Sequence, residues 1–145
     1  MRDGAIAHDP DRADQVVAAC PDSPERGDEW RWTVSRTRVD HPGRTWQVSV
    51  TVDEDFVGAE HLVVDEPGER PLTRGSGEEI VVVAEHGRHL VQDASGPWLR
   101  YLDTGDVFVV EGEDPEHLVL TAGADSRASV VRLTPKGSQP LRWVP

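Results

Sequence analysis

Two runs in the first third of the chain alternate apolar and polar residues with a period of two. The first, WRWTVSRTRV, places Trp30, Trp32 and Val34 on one face, and the second, TWQVSVTV, continues the pattern from Trp46 to Val52. The intervening DHPGR has the composition of a turn. The alternation predicts a β-hairpin with one buried face, and its register is fixed because a slip of one residue would expose every Trp and Val.

The rest of the chain repeats short apolar runs at spacings of about ten residues, which is typical of a β-sandwich or barrel. Thirteen Gly and eleven Pro supply turn residues, and no helical period is found after residue 28. The stretch GEEIVVVAEHGRHLVQ is interpreted as a second hairpin, with its turn at Glu85–Gly87. Its continuous Ile80–Val83 run predicts a strand covered on both faces.

Residues 1–28 lack this pattern and are expected to form a separate segment from a β-domain at 29–145. In HDPDRADQVVAACP, Asp9 is placed to cap a short helix whose first turn contains Pro10. The chain is therefore expected to be all-β with a short N-terminal helical segment.

Charge and cysteine content restrict the partners and the compartment. A net charge of −12 disfavours nucleic acid and anionic membranes as partners. The single cysteine, Cys20, excludes an internal disulfide and suits a reducing compartment. No apolar run has the length of a membrane span, and the first residues lack the apolar core of a secretion signal, so we expect a cytoplasmic protein.

The stretch from Glu79 to Leu120 resembles the cupin superfamily. The elements that carry the resemblance are Glu79 opening a strand, the turn at Gly87, the Leu-x-x-Gly-Asp turn at Leu102–Asp106, the apolar Val107–Val110 and His117. The resemblance covers about residues 68–133 and implies a small jelly roll, a double-stranded β-helix barrel. A narrower likeness is to one half of the bicupins of the Ves and HutD type.

The metal-binding motif of that superfamily is absent from this sequence. Metal-binding cupins hold a divalent ion with a His-x-His pair, a Glu and a later His. Here the paired histidine places fall on Leu72 and Arg74, or on Thr73 and Gly75 if the gap is one residue shorter. A guanidinium stays protonated and repels a cation, so the resemblance implies neither a metal nor another cofactor.

Three residues remain as candidates for ligand binding: Arg74, Glu79 and His117. Arg74 paired with Glu79 would form a bidentate anchor for a small carboxylate. His117 would lie at a pocket if its strand face lines the barrel, and would otherwise be a rim histidine without a function. The pair His86 and His89 in HGRH is attributed to chance because nothing nearby completes a metal site.

These residues leave three hypotheses open. The first is a non-catalytic, metal-free cupin-like domain that binds a small organic ligand or acts as an assembly module, as a homodimer. The second is an enzyme, either metal-dependent through His61, Glu79 and His117 or a metal-free isomerase with His117 as general base. The third is an interaction protein whose barrel interior is packed with bulky side chains. Trp98, after a Gly-Pro turn, is expected at a mouth or an interface.

Overall fold

The computed structural model describes residues 48–138 and Leu141 in full, and the backbone of four further strand segments at 14–19, 29–37, 45–47 and 142–143. This part of the chain contains twelve strands and no helix, which confirms the all-β prediction. The strands are β1 Asp14–Ala19, β2 Glu29–Thr37, β3 Thr45–Asp53, β4 Val57–Val64, β5 Gly68–Arg74, β6 Glu79–His86, β7 His89–Asp93, β8 Leu99–Leu102, β9 Val107–Val110, β10 Glu116–Ala122, β11 Arg127–Pro135 and β12 Arg142–Trp143.

The chain divides into two compact units. The first comprises residues 1–59 and 134–145, and the second comprises residues 60–133. The boundary expected between residues 28 and 29 stays a prediction.

The first unit contains a four-stranded sheet in the order β12-β1-β3-β2. Its β2 and β3 form the hairpin predicted from the alternation, with Trp32 opposite Val50 and Val34 opposite Val48. Val48, Val50 and Val52 are almost fully buried. The predicted register is therefore confirmed.

The short N-terminal helix is wrong for residues 14–19, which form strand β1. Five residue pairs join β1 to β3 in parallel, from Asp14 opposite Val48 to Ala18 opposite Val52. The sequence of β1, DQVVAA, contains two adjacent valines, whose branched side chains favour a strand when a partner edge is present. The proposed cap at Asp9 and Pro10 lies outside the described residues.

The remaining eight strands form a jelly roll. They make two four-stranded sheets, ordered β4-β11-β6-β9 and β5-β10-β7-β8. Successive strands alternate between the sheets, except that β7 and β8 lie in the same one. This strand order is that of the double-sheet jelly roll to which cupins belong, so the cupin-like fold predicted from the sequence is confirmed.

The second predicted hairpin is wrong, because β6 and β7 lie in different sheets. Strand β6 pairs with β11 and β9, whereas β7 pairs with β10 and β8. The chain crosses between the sheets at Gly87, whose φ is 75°. A Cβ there would meet Cβ of Ser126 at 2.7 Å, so this crossing requires glycine.

The Gly-Asp turn crosses between the sheets in the predicted way, joining β8 to β9. Gly105 has φ 91°, and the amide of Asp103 donates to Oδ2 of Asp106 at 2.8 Å. Two backbone hydrogen bonds tie this turn to Ala84 on β6. The turn therefore has the left-handed glycine and the amide-bonding aspartate that the Gly-Asp motif predicts.

Apolar side chains fill the space between the two sheets of the jelly roll. Both sheets contribute to one buried cluster: Val64, Leu72, Ile80, Val82, Ala84, Val91, Leu102, Val110, Leu118, Leu120, Ala122 and Val130. Trp98 and Phe108 pack against this cluster in an edge-to-face pair, with ring centroids 5.8 Å apart. All four residues from Ile80 to Val83 have no exposed surface, so the expectation that this strand is covered on both faces is confirmed.

Candidate functional site

Arg74 is a structural clamp. The residue is 1% exposed, and its side-chain N–H groups donate to the chain itself. Nε donates to Glu116 Oε2 (3.2 Å), and Nη1 donates to the carbonyls of Gly112 (2.7 Å), Glu78 (3.0 Å) and Gly75 (3.4 Å). Nη2 donates to the carbonyl of Asp114 (2.5 Å) and to Glu116 Oε2 (3.1 Å). All five N–H bonds of a guanidinium are thus used. The ligand anchor expected here instead holds the bend at 112–116 against the loop at 75–78.

Glu79 lies on the wrong face for a site inside the barrel. Ile80 and Val82 point into the interior cluster, so alternation along β6 places Glu79 on the opposite face. Glu79 is 5% exposed, and its Oε2 has no hydrogen-bond partner among the described residues. Burial raises the pKa of this carboxyl to about 7; Glu111 adds to the increase and Arg74 opposes it.

Two positions were considered for His117, one at a pocket inside the barrel and one at the rim. The structure places it at the rim, because its neighbour Leu118 points into the core. His117 is exposed while Leu118 is buried, so the imidazole lies on the outer face of the sheet. It borders a shallow groove that also includes Asp93 and Glu116. The interior pocket position considered for His117 is therefore not the one observed.

His61 does not join Glu79 and His117. Its Nε2 is hydrogen-bonded to Oγ of Ser129 at 3.0 Å, on the outer face of the other sheet. Burial lowers the pKa of His61, Glu85 opposes this effect, and Arg127 adds to it. His61 and His117 therefore lie on the outer faces of different sheets and cannot hold one ion.

The residues present do not fit the metal site of the superfamily. Of the two pairs of positions where histidines would stand, one consists of Leu72, which belongs to the buried core, and Arg74, which clamps the bend. Within the described part of the chain, no group of three or more His, Cys, Asp or Glu side chains is arranged to hold a metal ion.

His89 is buried, and its imidazole makes no hydrogen bond with the described residues. It is 2% exposed, and neither ring nitrogen has a partner among the described residues. Burial lowers the pKa of His89, and nearby His86 lowers it further. His86 itself is largely exposed, 3.8 Å from Asp125. The two histidines of HGRH therefore have opposite environments, and neither completes a site with the other.

Replacing His89 by leucine is expected to stabilise the protein, most strongly in acid. Removing an unsatisfied buried imidazole is worth about 1 kcal/mol. Below pH 6.5, the ordinary pKa of histidine, the unfolded chain takes up a proton that folded His89 resists, so wild-type stability falls with pH while the variant is spared this loss. Urea unfolding near neutrality and in mild acid measures both effects. The exposed His86→Leu is the control, and equal gains in both variants would contradict the expectation.

A groove lies at the open edge between β4 and β5. It has a volume of about 550 Å³ and is lined by Glu60, His61, Leu62, Leu72, Val130 and Arg132. Leu72 and Val130 are core residues that form its floor. Of the lining residues, the sequence analysis named only His61 as a functional candidate. Leu62 is an apolar residue that remains 41% exposed.

Arg132 is oriented at this groove by contacts of one guanidinium nitrogen. Its Nη1 donates to the carbonyl of Thr73 and to Oε2 of Glu78, each at 2.6 Å. Its Nε and Nη2 make no hydrogen bond with the described residues. Three N–H donors of Arg132 are thus without a partner among the described residues, and guanidinium donors of this kind can bind a carboxylate oxygen.

No family model matches the chain, and no curated protein matches its sequence. A de novo designed double-stranded β-helix is similar in structure, with a TM-score of 0.40 and 17% identity over 55% of this chain and 99% of that one. The EutQ protein of Clostridium difficile has a TM-score of 0.38 and 6% identity over 77% and 66%. A cupin domain from Bordetella pertussis Tohama I has a TM-score of 0.39 and 18% identity over 79% and 100%. Likenesses at this level carry no inference about ligand or activity.

The described part of the chain has no helix with the length and apolar character of a membrane span.

Proposed function

We propose that this cupin-like domain is a non-catalytic, metal-free binding module whose ligand is a small organic acid with an apolar body. The observation that carries the proposal is the groove between β4 and β5, which Arg132 lines together with Leu72 and Val130. The apolar body would contact the floor, and the carboxylate would accept hydrogen bonds from Nε and Nη2 of Arg132.

The size and lining of the groove support this proposal. Ligand sites of roughly 300–1,000 Å³ with mostly apolar walls and a few oriented polar groups are typical of proteins. Three of the six lining residues, Leu62, Leu72 and Val130, are apolar. Because the barrel interior is filled by its own side chains, the open rim offers space that the interior does not.

The polar residues of the rim favour binding over catalysis. His61 is held by Ser129, and burial lowers its pKa. Glu60 is exposed to solvent. We therefore assign these groups to orientation of the ligand, and no group of the rim to a chemical step.

We also infer that the protein acts in the cytoplasm, without nucleic acid as a partner. A single cysteine suits a reducing compartment. The net charge of −12 opposes contact with a phosphate backbone.

Titration with benzoate, observed by amide chemical shifts, tests the proposal. Benzoate should shift the amides of Leu62, Val130 and Arg132 and saturate, because its ring fits the apolar floor and its carboxylate the guanidinium. Benzamide, which keeps the ring and loses the charge, should bind about tenfold more weakly, since a charge-assisted hydrogen bond contributes about 1.5 kcal/mol more than none.

Two leucine variants separate the groove from the rest of the surface. Leu62→Trp should fill the groove and abolish the benzoate shifts, whereas Leu99→Trp, at a leucine of similar exposure (47% against 41%) on β8, should leave them unchanged. Arg132→Met should reduce benzoate binding to the level of benzamide. The proposal is wrong if Leu62→Trp binds benzoate as the wild type does, or if the shifts map to other residues.

A further inference from the structure

The groove between β4 and β5 is lined by an acidic side chain as well as a basic one, Glu60 and Arg132. Val64 on β4 and Val130 on β11 belong to the buried cluster. Alternation along the two strands therefore directs Glu60 and Arg132 to the same side of their sheet. Strands β4 and β11 are neighbours in that sheet. A negative and a positive group thus project from adjacent strands and line one groove.

These opposite charges do not neutralise each other. Arg132 makes its ion pair with Glu78, whose Oε2 is 2.6 Å from Nη1. The carboxylate of Glu60 makes neither a hydrogen bond nor an ion pair with another described residue. Because Arg132 already has Glu78 as a counter-ion, Glu60 adds a negative charge that no described residue compensates.

We propose that the ligand of this groove is an α-amino acid with an apolar side chain. The inference rests on the proposed function and names the class of organic acid. In this arrangement the carboxylate accepts hydrogen bonds from Arg132, and the ammonium group donates to Glu60. The apolar side chain contacts Leu62, Leu72 and Val130, which line the same groove. A zwitterion thereby complements both charges of the groove.

The charge of the whole chain favours a zwitterion over a simple carboxylate. The net charge is −12, so a monoanion is repelled as it approaches the protein. Glu60 adds to this repulsion within the groove. A zwitterion has no net charge, and its ammonium group makes the interaction with Glu60 attractive. The acidic character of the chain is therefore compatible with an amino acid and unfavourable for a ligand with only a negative charge.

Titration with L-phenylalanine and with 3-phenylpropanoate tests the inference. The second compound is the first without its ammonium group, and at about pH 6 all of their ionisable groups are charged. The amide chemical shifts of Leu62, Val130 and Arg132 report binding to the groove. L-Phenylalanine should bind about fivefold more tightly than 3-phenylpropanoate, the effect of one solvent-exposed ion pair.

Glu60→Gln should remove this preference. The substitution takes away the partner of the ammonium group and also the repulsion of a carboxylate. L-Phenylalanine should therefore bind the variant more weakly than the wild type, and 3-phenylpropanoate more tightly. Glu69→Gln is the matched control, because it removes the same charge from exposed Glu69 on β5, where alternation directs this side chain away from the side of Leu72. This control should keep the preference of the wild type.

The possible outcomes separate this inference from the proposed function. If 3-phenylpropanoate shifts the groove amides and L-phenylalanine binds no more tightly, the ligand is an organic acid and not an amino acid. A Glu60→Gln variant that keeps the preference also overturns the inference, as does an equal loss of preference in Glu69→Gln, because the effect would then follow net charge. If neither compound shifts these amides, the proposed function is wrong as well.

Discussion

Replacing Arg74 by methionine is expected to reduce the free energy of unfolding by about 3 kcal/mol, because it leaves several partly buried acceptors without their donor. Methionine occupies much of the same volume but offers no N–H group. The carbonyls of Gly112, Glu78 and Asp114 and the carboxylate of Glu116 would all lose their donor. Urea unfolding followed by tryptophan fluorescence, compared with the wild type, measures the loss.

Three further variants show whether the loss belongs to the clamp. Arg88→Met removes an exposed arginine paired with Asp103 at 3.0 Å and should change stability by less than about 1 kcal/mol. Arg74→Lys should recover little, because a single ammonium group cannot donate to acceptors that lie in several directions. Gly112→Ala should destabilise with Arg74 intact, since its Cβ would lie 3.0 Å from Nη2 in a backbone with φ 152°. An Arg74→Met variant as stable as the wild type would show that the bend at 112–116 keeps its conformation without Arg74.

Local patterns in the sequence are sufficient to predict much of the fold. The alternation from Trp30 to Val52 specifies a hairpin and its register, because period two and turn chemistry are properties of neighbouring residues. Gly105 and Asp106 indicate a turn for the same reason. The jelly roll itself follows from the order of strands and the resemblance that this turn helps to establish.

Features that depend on distant residues cannot be predicted in the same way. The β6–β7 segment contains hairpin chemistry, but β6 pairs with β11 and β9 instead, and no local pattern specifies those partners. Strand β1 forms along an edge of β3 that the N-terminal sequence does not reveal. The contacts of Arg74 could not be predicted from the sequence, because its partners, the carbonyls of a bend 38 to 40 residues away, carry no mark in the sequence.

The candidate site is predicted less well than the fold for a physical reason. A groove is formed by residues that share a place and no sequence spacing: Leu62, Leu72, Val130 and Arg132 come from three strands. Glu79 and His117 are candidates through their motif positions, and alternation places both outside the barrel interior. Of the three ligand-binding candidates, none lines the groove between β4 and β5.

The two glutamates of β6 offer a direct comparison of a buried carboxylate with and without a partner. Both Glu79 and Glu85 are 5% exposed. Glu85 accepts a hydrogen bond from Nε of Arg127 at 2.8 Å, whereas Oε2 of Glu79 has no hydrogen-bond partner among the described residues. The same substitution at the two positions should therefore have opposite effects on stability above neutral pH.

Glu79→Gln is expected to raise the free energy of unfolding by roughly 3 kcal/mol at pH 8 and by about 1 kcal/mol at pH 5. The folded pKa of about 7 exceeds the ordinary glutamate value of 4.5, so the folded protein holds this proton more tightly than the unfolded chain does. The stability that the wild type gains from protonated Glu79 is fully present below pH 4.5 and is lost as the pH rises through 7. A glutamine is neutral at every pH, so the variant keeps this stability. Urea unfolding at the two pH values measures the difference. Glu85→Gln, which breaks the pair with Arg127, should lower stability at pH 8, and a Glu79→Gln variant that gains equally at both pH values would contradict the titration of Glu79.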